Sequence, residues 1–533
     1  MPLYSNAVRD PRVHDYLPPV RIVASEGIDN PQFFVNRIVF QSFNTATDKD
    51  FQKLNPGAWL LLDFGREIVG GIRMTTAGGA KDGIVRVRFG ESVSEAMSTP
   101  NQDHSIHDDT FPLPMMGCRD FGSTGFRFAR IDGISGNINL MGIIAVATYH
   151  DLPRIGTFEC NDERVNSIYN TAVYTVQLSM QDYIYDGVKR DRLVWLGDLN
   201  PEIRVILSTF DDHTLIRKSL DFLREATPLP QYMNSMMSYS LWWIINQYEL
   251  YMHSGNLEYL REQKDYLVPL IRHFSAMVDD DGHLQLGDRR CFLDWPTSQD
   301  KEVQAAGGHG LFAIMFSCAT KLCRFLGDEE TARIAESCRK RLGNIIPDNK
   351  GNKTAAAMLT LAGICDASSV LTTDSTSGVS TFYGYYVLLA QPVASALDVM
   401  RKYWGAMLDY GATTFWEDFN LDWIKNSNRI DELPVAGKDD LHADFGDFCY
   451  KGLRHSLCHG WSGGPAAFLM EKVLGVTVTA PGARKLTIHP NLCDLEYIRG
   501  TFPTPMGPVY ISKRRGEKTK VTAPSGIEIN LID

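Results

Sequence analysis

The chain has no run of about eighteen uncharged apolar residues, the minimum for a membrane-spanning helix, so no such helix is expected. It also lacks a basic surplus. Its 53 Lys and Arg face 64 Asp and Glu, and the net charge of -11 repels nucleic-acid phosphates and anionic membrane surfaces. Neither nucleic acid nor membrane is therefore an expected partner. Residues 1–21 carry charges and prolines throughout and have no apolar stretch of the kind a secretory signal needs, which gives the expectation of a cytoplasmic protein. Ten cysteines are present, yet Cys118, Cys160, Cys291, Cys318, Cys323, Cys365, Cys449 and Cys458 show no paired short spacing of a zinc site. Buried reduced thiols are expected instead, with no metal and no cofactor. There is no low-complexity segment and no repeat of fixed sequence period.

What the chain does have is bulk: 533 residues, 44% hydrophobic and 11% aromatic, enough for roughly two or three domains. Residues 20–150 are short apolar runs broken by Gly, Asn and Asp, such as WLLLDFG, IVRVRFG and INLMGIIAVATYH. Period-two alternation with frequent turns predicts an N-terminal antiparallel β-sandwich, residues 1–155. From residue 161 the apolar period becomes helical, as in YSLWWIINQYELYMHSG and GLFAIMFSCATKLCRFLGD, with glycines such as Gly255 and Gly327 at helix ends. About ten or more helices in one stretch predict a large all-α domain, residues 156–476. A small C-terminal β domain, residues 477–533, follows in VTVTAPGARKLTIHPN and VYISKRRG.

The densest polar cluster is DYIYDGVKRDRLVWLGD, holding Asp182, Asp186, Lys189, Arg190, Asp191, Arg192 and Asp198 around Trp195. Gly187 and Gly197 interrupt it, so it reads as a loop entering a helix. Carboxylates that accept from hydroxyls, arginines that donate and an indole face that stacks are suited to a sugar. A solvated loop with local ion pairs is the plainer reading. A second cluster, YGATTFWEDFNLDW, sets Glu417 after Trp416 and near Asp418 and Asp422. Alone, Glu417 would read as a helix-start carboxylate. Paired with the first cluster it supplies the second carboxylate of glycosidic cleavage, in which one acid protonates the leaving oxygen and another activates water or attacks the ring.

Weaker signals are Trp242 and Trp243, which at helical spacing read more readily as core, and Asp294 with Trp295, where proline places the indole at a loop. His309, His455 and His459 read equally as structural histidines, His459 lying at a loop before a helix start.

DGVKRDRLVWLGD resembles the signature strip of the α-L-rhamnosidases of glycoside hydrolase family 78, and GATTFWEDF resembles their second catalytic segment. LDFGREIVGGIRM, SLCHGWSGGPAAFLMEKVLGV and PGARKLTIHPN are similar to other parts of that family in the same order. The resemblance implies a six-hairpin glycosidase of carbohydrate metabolism, an (α/α)6 barrel between β domains, that hydrolyses a terminal α-L-rhamnosyl bond with inversion and without a metal in the barrel. It implies that Asp186, Arg190, Trp195 and Asp198 bind rhamnose, that Glu417 is the general base, and that His459, Trp295 and, less closely, Trp242 or Trp243 line the pocket. The sequence departs from the family at one place. Many members carry an Arg-Asp-Glu-Arg run whose glutamate is the acid, whereas this chain reads Arg190, Asp191, Arg192. Counting back from Trp195 puts Asp191 in the acid slot, with Asp198 the next candidate.

Inversion calls for carboxyl groups roughly 6.5–9.5 Å apart. Because Arg190 and Arg192 favour ionised neighbours, burial has to offset them for Asp191 to carry a proton. An unsaturated glucuronyl hydrolase or polysaccharide lyase on the same barrel, and a noncatalytic rhamnose-binding relative, are the competing readings. The expected partner is a rhamnose-containing glycoside or oligosaccharide. Its aglycone stays open, as does the oligomeric state, a homodimer being admissible.

Overall fold

The structure is a computed structural model that describes residues 8–99, 106–287 and 289–533. It combines one large antiparallel sheet, a long helical stretch and two small C-terminal sheets.

Two long strands, Trp59–Gly79 and Met116–Ser135, form the spine of the large sheet. Their register shifts between Asp63 and Ile68 and again between Gly70 and Ile72, which bends the ribbon. The bend lets one strand serve two neighbours: its first half pairs with Arg21–Glu26 and its second half with Ile138–Tyr149. Glycine is required there, because a Cβ on Gly70 would lie 1.9 Å from the Val146 carbonyl oxygen and one on Gly71 2.2 Å from that of Phe121. Leu60, Leu62, Ile72, Val85, Val87, Ile131, Leu140 and Ile143 form the sheet's own core.

The helical stretch begins at Glu163–Ser179, capped by the Asp162 carboxylate on the amides of Arg164 and Val165. Helix Met237–Ser254 ends at Gly255, whose φ of 64° is the left-handed conformation its position in the sequence predicts. Helix Lys301–Phe325 is capped by Asp300. One continuous core joins these helices to the C-terminal strands. Among the described residues no helix is long and apolar enough to cross a membrane. All ten cysteines are free thiols, buried or half-buried.

Two features depart from the sequence pattern. Strand Thr157–Cys160, within the stretch assigned to the helical domain, instead pairs with Tyr497–Phe502 of the C-terminal region. Between helices Val393–Asp409 and Gly464–Phe468 the chain forms only turns and short 3-10 segments. This irregular segment brings Glu417 and His459 to the strip, and an isolated bridge joins Gly187 to His459.

Candidate active site

The strip leads directly into helix Leu199–Thr209, as its glycines and flanking periodicity imply, and Asp198 stands at the helix start. Within it Asp186 closes a loop on itself: its amide donates to the Leu193 carbonyl at 3.1 Å, and the Leu193 amide donates to its Oδ1 at 2.9 Å. Between these points Asp191 and Arg192 both adopt left-handed backbone, each with φ of 54°. Two such residues in succession store roughly 1–3 kcal/mol each, a strain typical of functional segments.

Arg190 organises the chemistry. Its Nε donates to the Arg454 carbonyl at 2.6 Å, one terminal nitrogen donates to both oxygens of Glu417 at 2.5 and 2.6 Å, and the other stands 3.2 Å from Asp191 Oδ1. The two acids predicted from the sequence therefore share one guanidinium. Glu417 also accepts from the Ser456 amide at 3.0 Å. Burial pushes its pKa up, and Arg190 and the Ser456 amide oppose that rise. Asp191 differs, its side chain being 34% exposed at the rim. Arg192 turns away from it and donates to the Ser123 carbonyl at 2.7 Å.

Three further acids lie deep. Asp186, Asp198 and Glu202 are each pushed well above the usual carboxylate range, first by burial and, for Asp186 and Glu202, next by the Asp198 charge. Asp198 accepts from the Tyr239 hydroxyl at 3.0 Å, whereas neither oxygen of Glu202 has a hydrogen-bond partner among the described residues. His459 Nε2 sits 3.8 Å from both Asp186 Oδ2 and Glu417 Oε1, beyond hydrogen-bond reach of either. Burial holds its ring well below the usual histidine pKa, so it is neutral.

Aromatic contacts run from Trp195 through Tyr239, Phe292, Trp295, Tyr450 and Trp461 to His459, with successive ring centroids 6.1, 6.3, 5.3, 6.4, 6.4 and 4.1 Å apart. Trp195 and Trp295 are half-buried within this belt, Trp295 also stacking on Phe448. Trp242 is one layer back, 2% exposed and stacked on Tyr386. Trp243 is fully buried, with its indole N–H on the Leu220 carbonyl. Asp294 braces a turn through Thr297 and Ser380. His309 Nε2 donates to the Leu342 carbonyl at 2.9 Å, away from the cluster. A cavity of about 760 Å³ lies beside His309, Arg290 and Lys301 and shares no residue with the carboxylate cluster.

Sequence reasoning missed Glu202, Tyr239, Ser456 and the buried group Glu91, Glu95 and His442. Glu202 stands one helical turn after Asp198, a spacing that was visible, but an acid in a helix ordinarily reads as surface. Glu91, Glu95 and His442 offer metal-ligating atoms within 4.8 Å of one another. The Lys189 ammonium already lies 3.2 Å from Glu91 and 3.1 Å from Glu95, so the charge balance fits an ammonium rather than a metal ion.

A helical stretch with an irregular acid-bearing segment, an aromatic belt and carboxylates sharing one arginine brings together groups able to accept from, donate to and stack on a sugar. In sequence and in fold the chain is similar to α-L-rhamnosidases, among them one of glycoside hydrolase family 78. Residues 153–346 match the family profile described as the bacterial α-L-rhamnosidase six-hairpin glycosidase domain. An α-L-rhamnosidase of Streptomyces avermitilis is 22% identical over 85% of this chain, and the match spans 46% of that enzyme. One of Formosa agariphila is 29% identical over 20% of this chain and 11% of its own length. The chain thus spans less than half the length of the curated relatives it matches. Among solved structures, a family 78 rhamnosidase of Bacillus sp. GL1 superposes with a TM-score of 0.73 at 20% identity, covering 94% of this chain and 55% of that one. A Klebsiella oxytoca rhamnosidase with rhamnose bound gives 0.69 at 21% identity, covering 86% and 96%. These likenesses establish the fold.

Proposed function

We propose that the chain is an inverting glycoside hydrolase that releases terminal α-L-rhamnose from a rhamnose-containing glycoside. In this reading residues 156–476 are an (α/α)6 barrel, set between an N-terminal β-sandwich, residues 1–155, and a C-terminal β domain, residues 477–533. The observation that carries it is the guanidinium of Arg190, one nitrogen on Glu417 and the other beside Asp191. Rhamnose in the Klebsiella oxytoca relative supports the choice of sugar.

Asp191, at the rim, donates its proton to the glycosidic oxygen as the bond from that oxygen to the anomeric carbon breaks. Glu417, anchored by Arg190 and Ser456, takes a proton from the water whose oxygen attacks the opposite face. An aglycone bound over Asp191 excludes water from around its carboxyl group. Asp186, Asp198 and neutral His459 address sugar hydroxyls, a single hydroxyl being able to bridge the 3.8 Å gaps around His459 Nε2. Trp195 and Trp295 face the ring, and Trp242 is buried against Tyr386. A uronate-specific reading is disfavoured because Lys189, Arg190 and Arg192 each already hold acceptors of the chain itself.

Proton NMR of an aryl α-L-rhamnoside during hydrolysis tests this directly. The β anomer of rhamnose is expected first. Initial release of the α anomer would overturn inversion, and no release from any rhamnoside would overturn the hydrolase reading, with rhamnose binding by calorimetry then marking a noncatalytic relative.

A further inference from the structure

Glu91 follows strand Ile84–Gly90 of the large sheet, more than three hundred residues from Glu417 in sequence, yet two contacts separate the pair. Its Oε1 accepts from the Ser456 hydroxyl at 3.1 Å and its Oε2 from the Leu457 amide at 2.6 Å. The Ser456 amide donates to Glu417 Oε2 at 3.0 Å, and the Glu417 amide donates back to the Ser456 carbonyl at 2.9 Å. Lys189 secures the same segment from its other side, its ammonium donating to the carbonyls of Leu453 at 2.8 Å and His455 at 2.7 Å while paired with Glu91 and Glu95. His107, also from the sheet region, bonds the Lys189 carbonyl at 2.7 Å.

Segment 453–457 has no helix or strand to hold it apart from a single 3-10 turn, so its shape depends on these buried charges. Glu91 and Lys189 are each about 1% exposed, where an unmet charge is costly and a met one is rigid. We propose that Glu91 is a positioning residue through which the large sheet sets the placement and basicity of Glu417. The sheet is then part of the active machinery rather than an appendage to it. This inference rests on the reading of Glu417 as the general base.

The direction of the effect follows from the bonds. The Ser456 amide favours ionised Glu417, so loosening segment 453–457 raises the Glu417 pKa further. A base works when ionised, and the acidic limb of the rate profile therefore moves to higher pH.

The test compares wild type, Glu91→Gln and Ser456→Ala on an aryl α-L-rhamnoside, and follows hydrogen–deuterium exchange of residues 450–462 in all three. Glu91→Gln should lower kcat by about 10- to 100-fold with KM within about threefold, and shift the acidic limb upward. Ser456→Ala removes the hydroxyl's contacts with Glu91 and with the Cys458 backbone, leaves the amide bond to Glu417, and should give about a 3- to 10-fold loss in the same direction. Should Glu91→Gln fail to fold, Ser456→Ala carries the kinetic test alone. A merely structural role predicts a lower Tm with kcat and the limb unchanged, and that result overturns the proposal. Wild type inactive on rhamnosides would instead defeat the functional reading. In that case exchange decides this proposal, faster exchange at 450–462 in the variants supporting the tether and unchanged exchange refuting it.

Discussion

Arg190 imposes different duties on the two acids it touches. Glu417 receives two hydrogen bonds from it inside the protein, a geometry that holds a carboxylate still, while Asp191 meets its other nitrogen at a strained, half-open turn. A proton donor for a leaving group belongs at the rim, where sugar and aglycone meet. Asp198, 3% exposed and bonded to Tyr239, is too deep for that task and better placed to bind. Asp191→Asn should therefore lose about 10²- to 10⁴-fold in kcat on alkyl or phenyl rhamnosides, which need protonation as they leave. It should lose much less on a dinitrophenyl rhamnoside, whose leaving group departs as a stable anion. Asp198→Asn should weaken both substrates alike through binding. If Asp198→Asn shows the leaving-group dependence and Asp191→Asn does not, the assignment reverses.

At the level of elements, the site depends on two segments passing within atomic contact. The 3-10 turn Gly460–Gly463 lies against helix Leu199–Thr209 so closely that a Cβ on Gly460 would lie 1.5 Å from Glu202 Oε1 and 2.4 Å from its Cδ. The Gly460 amide meanwhile donates to the Asp186 carbonyl at 2.7 Å, so a displaced turn drags the strip with it. Gly460→Ala should destabilise by about 1–3 kcal/mol through overpacking and lower activity as well. In a Glu202→Ala background the obstacle is gone, and the drop in Tm should shrink to about half or less. Equal drops in both backgrounds would show that the contact is not what fixes the glycine. The same contact explains what was legible in the sequence. Asp186, Arg190, Asp191, Trp195 and Asp198 lie on one contiguous strip whose glycines and charges are visible in order. Helix period and glycine caps such as Gly255 likewise revealed the helices. Ser456 and Glu91 gain their meaning only from neighbours hundreds of residues away, and strand Thr157–Cys160 only from its partner Tyr497–Phe502, so no local pattern marks them, while Glu202 shows its spacing from Asp198 but not its contact with Gly460.

The whole molecule carries an unusual load of buried titratable groups, and their opposing signs set its pH dependence. Asp186, Asp198, Glu202 and Glu67 are pushed well above the carboxylate range, and Glu95 and Asp418 to about 7, in every case chiefly by burial. A carboxyl whose folded pKa is raised contributes stability that is full below its unfolded value near 4 and is lost as pH rises through the folded one. Buried histidines act oppositely. His442, His455 and His459 are held well below the usual value, and His213 and His253 at about 4, so their contribution is present above about 6.5 and lost as pH falls. Between about pH 4 and 6.5 the two sets oppose each other and the slope is shallow. Above about 6.5 the histidines are neutral whether folded or unfolded, and only the carboxyls still act. Tm should therefore change little between about pH 4 and 6.5 and decline from there toward pH 8, with net proton release on unfolding in that upper range. Calorimetry in buffers of different ionisation enthalpy measures both quantities. A Tm that climbs from pH 6.5 to 8 would mean that these acids are ionised in the folded protein, and that the deep carboxylates of the site are held by charges other than those described.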